Sequence, residues 1–126
     1  MKGLGDVFRE VGNRHKIKPE VLVCIAMADS TLGKHTRTKN NIGNVGNTAT
    51  SSRAFDSLES AIDAMGKVLN NKYLGSHTTI GQLSVGGGNK SGKIYASSPY
   101  NWNKNIKACL GDITKAPVDE DYLFRL

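Results

Sequence analysis

Apolar residues recur along this chain in four groups at helical spacing, separated by stretches that hold almost none. Leu4, Val7, Phe8 and Val11 fall three and four residues apart, which predicts a short amphipathic helix over 3–15 that packs on a neighbour. The densest group, Val21 to Ala28, is nearly unbroken. Pro19 suits a first helical position and Gly33 the residue just past an end, so 19–32 reads as one buried helix of about 14 residues. Leu58, Ala61, Ile62, Met65, Val68 and Leu69 form a third stripe. Asp56 and Glu59 open it with the three-residue spacing of an N-terminal cap pair, and Asn70-Asn71 closes it. Ser98-Pro99 opens a fourth helix, in which Trp102, Ile106, Cys109, Leu110 and Ile113 line one side. Between the last two, Thr78 or Thr79 caps a short helical turn through Leu83.

The polar stretches are informative too. Residues 34–54 are rich in Asn, Thr, Ser and Gly and nearly devoid of large apolar side chains. Connections of that length are uncommon in small domains unless they bind something. A hairpin within 34–55 is the one strand candidate. The glycine run at 86–88 reads as a flexible connection, since it lacks the Gly-Lys-Ser/Thr ending of a phosphate-binding loop. The tail over 115–126 either docks through Tyr122, Leu123 and Phe124 or is a junction to something else. These elements make a mainly α fold, with one domain over 1–114 and a tail over 115–126.

At 126 residues and 13.6 kDa the chain is long enough for a core of its own. Its 38% apolar and 22% charged residues are those of a folded globular domain and exclude wholesale disorder. The net charge of +6 suits an acidic polymer as partner: nucleic acid, an anionic cell wall or a membrane surface. No apolar run reaches membrane-spanning length, so membrane insertion is not expected. Met1-Lys2-Gly3 leads into an amphipathic pattern, not into the apolar core of a signal peptide. Lys34, His35, Arg37 and Lys39 are a candidate nucleic-acid patch, but no motif frames them. With 6% aromatics, stacking platforms are few, and nucleic acid ranks behind a cell-wall partner. Cys24 and Cys109 each lie on an apolar stripe, as two small core residues or as one disulfide between helices. His15, His35 and His77 stand among polar neighbours without ligand spacing and read as surface residues. Neither metal nor cofactor is expected, and oligomeric state is not legible.

One residue stands out chemically. Asp29 falls in the last turn of the buried helix, where the helix dipole repels negative charge and the preceding residues offer an apolar wall. Both effects favour the protonated carboxyl, and a carboxyl protonated near neutral pH is a general acid. The plainer alternative is a polar helix end bonded to the loop backbone. Asn40, Asn41, Asn44 and Asn47 supply amides that pair with hydroxyl and N-acetyl groups; equally, Asn-Gly pairs are ordinary turn chemistry.

Three blocks carry a resemblance to the glucosaminidase branch of the lysozyme-like hydrolases that cut peptidoglycan. Ala28-Asp29-Ser30-Thr31-Leu32-Gly33 resembles the family's helix-ending block of small residue, Glu, Ser, variable residue and Gly. Asn40-Asn41-Ile42-Gly43-Asn44-Val45-Gly46 is similar to its Asn-Asn-apolar-Phe-Gly loop, without the Phe, and Arg53-Ala54-Phe55-Asp56-Ser57-Leu58 to its aromatic-led helix start. Tyr95-Ala96-Ser97-Ser98-Pro99-Tyr100 looks like its Tyr-Ala-Thr-Asp-Pro-Tyr signature. The blocks stand in the family's order. The resemblance implies a lysozyme-like fold and a β-1,4 glycosidase acting on peptidoglycan glycan strands outside the cytoplasm. Asp29 is then the proton donor in place of the family's Glu, on a side chain shorter by about 1.5 Å. Tyr95 stabilises charge or orients the sugar, and Ser30, the four asparagines, Ser98 and Tyr100 line the substrate site. Tyr100 or Trp102 can stack on a sugar face. Candidates for a second carboxylate are Asp56, Glu59 and Asp63, with assistance from the substrate's N-acetyl group as the other route. The rival functions are a module of the same fold that binds wall glycan or serves a larger assembly without catalysis and, behind it, the basic nucleic-acid binder.

Overall fold

The computed structural model describes residues 3–30, 57–72, 74–84, 95 and 100–126, without the side chains of Asp29, Ser30 and Tyr100. It is mainly helical: α1 (Leu4–His15), α2 (Pro19–Ser30), α3 (Leu58–Leu69) and α4 (Tyr100–Thr114), with a 3-10 turn at Ile80–Leu83 before α4. Among the described residues there is no strand, only isolated antiparallel bridges from Ile17 to Arg125 and from Thr79 to Leu123. The hairpin expected within 34–55 lies outside the described residues.

The helix α2 packs against each of the other three. Its apolar run explains this: Val21, Leu22, Cys24, Ile25 and Ala26 are fully buried, so the helix meets protein on most of its circumference. Met27 is the exception at 41% exposed, beside half-buried Val23 and Ala28. A run that reads as wholly buried therefore has one open side.

α1 buries Val7, Phe8 and Val11 as its periodicity predicts. The chain then reverses tightly into α2. Lys16 takes the left-handed conformation at φ 61°, and its N–H bonds to the Gly12 carbonyl. Gly12 is required there, because a Cβ would stand 2.6 Å from the Ile17 carbonyl oxygen.

The start of α3 differs from the sequence expectation. The cap is Ser57, whose Oγ accepts from the Ser60 N–H at 3.1 Å, while the Ser57 N–H donates to the Ser60 Oγ at 3.2 Å. The reciprocal pair is Ser57 with Ser60, one residue later than Asp56 with Glu59. Leu58 consequently occupies the first helical position, ahead of the turn that meets the core, and is 37% exposed. At the far end of α4, Ile113 is likewise 46% exposed although it continues the stripe.

The segment 115–126 is tied into the core. Lys18 N–H donates to the Phe124 carbonyl at 2.8 Å, Phe124 N–H to Thr78 at 2.9 Å, and Ile80 N–H to Tyr122 at 2.9 Å. In this extended stretch successive side chains alternate, so Phe124 is fully buried and Tyr122 half-buried, whereas Leu123 points out at 54% exposure. The expected Leu123 anchor is thus on the wrong face.

His15 and His77 are not surface residues. His77 is 9% exposed, and the His15 side chain is 13% exposed between α1 and α3. His15 Nε2 lies 2.7 Å from Asp63 Oδ1, to which Arg14 Nη1 also donates at 2.7 Å, and Lys67 Nζ stands 3.5 Å from Oδ2. The His15 ring faces Gly66 so closely that a Cβ there would collide with it. Burial pushes the Asp63 carboxyl up, but the hydrogen bonds and charges of His15 and Arg14 outweigh it and hold the group below its ordinary value. A depressed folded-state pKa means that this stabilisation is present above the unfolded value, about 3.9, and is lost as pH falls through the folded one. Thermal melts from pH 6 down to pH 2.5 should therefore show a steeper acid loss in the parent than in Asp63→Asn. Parallel curves would mean that the cluster contributes nothing through Asp63.

Candidate functional site

Three elements converge on the region that the sequence singles out. α2 ends in Asp29 and Ser30, the last two residues of the helix, and no basic residue occupies that last turn. The negative end of its dipole is therefore not offset by a cation from the helix itself. Five residues upstream of Asp29, Cys24 is joined to Cys109 by a disulfide with the Cα atoms 5.6 Å apart. Of the alternatives open for the two cysteines, the structure selects the bridge. It ties α2 to α4, the helix that begins at Tyr100.

Tyr95 stands against the first turns of α4. Its N–H donates to the Leu83 carbonyl at 2.8 Å, and its ring meets that of Trp102 at 5.8 Å between centroids, tilted by 41°. Trp102 is 5% exposed. It is a core residue that backs Tyr95 and does not present a face to a sugar. Tyr95 itself is half-buried against the same core.

Asn40, Asn41, Asn44, Asn47 and Ser98 lie outside the described residues, as does Asp56. Asp29, Ser30 and Tyr100 have described backbones only. Of the other candidates for a second carboxylate, Glu59 is in the first turn of α3, where a negative charge complements the helix dipole. Asp63 is engaged by His15 and Arg14. Held below its ordinary pKa by those partners, Asp63 stays charged, as a second carboxylate must, but its oxygens are taken up by His15, Arg14 and Lys67.

The structure adds a polar cluster that sequence reasoning missed. Asn103, 5% exposed, donates through Nδ2 to the Ser84 Oγ and to Glu120 Oε2, both at 2.9 Å. Glu120 Oε1 accepts from Lys107 Nζ at 2.6 Å. Asn103 Oδ1 is buried with no hydrogen-bond partner among the described residues. Asn103 directly follows Trp102 in sequence, and the cluster joins the start of α4 to the end of the 3-10 turn and to the C-terminal segment. One signal was available: Asn103 precedes Ile106 and Leu110 by three and seven residues, so it lies on the apolar stripe.

Between α2 and α4 runs a groove of about 480 Å³, lined on one side by Val23, Met27 and Ala28 and on the other by residues of α4 that include Cys109 and Asp112. It adjoins the helix end that carries Asp29. Among the described residues no three His, Cys, Asp or Glu side chains come together to hold a metal ion, and no helix is long and apolar enough to cross a membrane. No protein-family model, curated protein or solved structure matches this chain.

Proposed function

We propose that this chain is a lysozyme-like glycosidase that cleaves β-1,4 bonds of peptidoglycan on one side of an N-acetylglucosamine, with Asp29 as its general acid. The observation that carries the reading is the placement of Asp29: a carboxylate in the last turn of the central buried helix, with no cation in that turn. Asp29 protonates the glycosidic oxygen as the bond to the anomeric carbon lengthens. Tyr95, held by its backbone bond to Leu83 and backed by Trp102, orients the sugar or meets the developing positive charge. Asp63 being committed to His15 and Arg14, the substrate's own N-acetyl oxygen is the favoured internal partner for the anomeric centre. The amides of Asn40, Asn41, Asn44 and Asn47, with Ser30, Ser98 and Tyr100, bind the glycan. The net charge of +6 favours an anionic wall. A closed disulfide fits an oxidising, extracytoplasmic setting.

The test is mass spectrometry of purified peptidoglycan treated with the protein and with Asp29→Asn, with and without borohydride reduction of the products. Reducible fragments ending in N-acetylglucosamine, with a rate lower by about 10²–10⁴ in the variant, are expected for a lost general acid. Ends in N-acetylmuramic acid move the cut to the neighbouring bond. Sacculus binding without fragments from either protein overturns the enzyme and leaves the binding module, the reading favoured by the shorter carboxylate of Asp29.

A further inference from the structure

The disulfide and the groove meet at one place. Cys24–Cys109 joins α2 to α4, and Cys109 stands in the wall of the groove between those helices. Its two residues are unequally covered: Cys24 is fully buried, whereas Cys109 is only half-buried and is the one of the two that lines the groove. In thiol–disulfide exchange the attacking thiolate must reach one particular sulfur, so access decides which of the two is attacked. The groove's volume of about 480 Å³ is that of a small-molecule site, and its walls next to Cys109 are the short side chains of Ala28 and Ala108.

We propose that Cys109 is the entry point of a redox switch: a small thiol enters the groove, attacks Cys109 and uncouples α2 from α4. The thiolate sulfur bonds to Cys109 Sγ as the Cys24–Cys109 bond breaks; the electron pair leaves on Cys24, which takes up a proton. With a dithiol as reductant, the second thiol closes on the first and expels Cys109 as a thiolate. The dithiol is oxidised to its disulfide and the protein pair is reduced to two thiols. The Asp112 carboxylate lining the same groove disfavours anionic thiols and favours neutral or cationic ones. Since the bridge spans 85 residues of sequence, opening it releases a long loop. The switch acts on the two helices that carry the candidate site, whatever polymer that site takes.

The experiment is a brief exposure of the folded, oxidised chain to cysteamine, followed by acid quenching, maleimide capping and peptide mapping. Cysteamine is expected on Cys109 and maleimide on Cys24. The reverse pattern, or adducts that form no faster than the protein globally unfolds, overturns the proposal. Glutathione, which is anionic, should react about three- to tenfold more slowly at low salt, and Asp112→Asn should narrow the gap. Equal rates for the two thiols would remove the groove from the pathway. Ala108→Trp, which fills the groove from an exposed position on α4, should slow adduct formation about tenfold and leave the oxidised melting temperature within a few degrees. Full reduction with dithiothreitol should lower the melting temperature by about 10–15 °C, from the loop-closure effect. An unmoved melting temperature would show that the bridge does not couple the helices.

Discussion

Arg125→Leu is expected to destabilise the fold by about 2–4 kcal/mol, the scale of losing several charge-assisted hydrogen bonds from a half-buried site. Among the described residues the guanidinium has no carboxylate partner; it closes the C-terminal segment onto a ring of oxygens. Nε donates to the His77 carbonyl at 2.6 Å, Nη1 to Asn70 Oδ1 at 2.5 Å, and Nη2 to the Leu69 carbonyl at 2.7 Å and the Leu74 carbonyl at 3.1 Å. Three of those acceptors are main-chain carbonyls at the end of α3 and in the turns after it, which the helix itself leaves unsatisfied. Burial pulls the Arg125 pKa down, yet guanidinium starts so high that it stays charged and donating. Leucine would fill some of the space and take the donors away from these oxygens, of which the Leu74 carbonyl keeps the His77 N–H at 2.9 Å. Arg125→Lys should recover only a minor part, because an ammonium cannot present the flat fork that reaches four acceptors. Urea denaturation of parent and both variants measures this. A loss below about 1 kcal/mol for leucine, the level of an ordinary surface substitution, would show that the segment is not held through this residue.

The second large effect is expected at Asn103. Asn103→Asp replaces the amide donor with a carboxylate facing Glu120 Oε2, where the native Nδ2 lies 2.9 Å away. Two carboxylates at that separation cannot both stay ionised, so the variant should lose about 2–4 kcal/mol at pH 7, the scale of an uncompensated buried charge. Lys107, already 2.6 Å from Glu120 Oε1, moderates the repulsion without removing it. The sign of the pH dependence follows. The introduced carboxyl has its folded-state pKa raised by Glu120, so the penalty is largest above that value and shrinks as acid supplies the shared proton. Melts at pH 7 and pH 5 should therefore converge toward the parent as pH falls. Asn103→Leu is the control: it removes the orphaned Oδ1 along with the donor and should cost less than the aspartate at pH 7.

The helices were legible because each is written in local periodicity. The stripes Leu4–Val7–Phe8–Val11 and Ala61–Ile62–Met65–Leu69 depend only on spacing, and the residues they name are buried or half-buried. Ends were less legible, as caps turn on single hydrogen bonds: Ser57 and Asp56 are both good cap residues, and the backbone register decided for Ser57. The candidate acid was visible for the same local reason, since its place at the end of α2 follows from Pro19 and from the apolar run before it. The Asn/Gly loop blocks that carry much of the resemblance fall outside the described residues, so their part in the site rests on sequence alone.

Other features have partners too far apart in sequence for any pattern to announce. His15 meets Asp63, Asn103 meets Glu120, Cys24 meets Cys109, and Arg125 reaches back to the end of α3. By itself the sequence determined the mainly helical class, the place of four helices, the centrality of α2 and the position of Asp29 on it. Helix formation and burial of a stripe are governed by neighbours within one or two turns. Only the tertiary structure decided that the cysteines pair, that His15 and His77 are covered, that Leu123 faces out and that an arginine locks the C-terminal segment. Those outcomes depend on which buried polar group finds a partner across the fold, and a buried donor or acceptor is stabilised only when geometry, not sequence distance, brings its partner within reach.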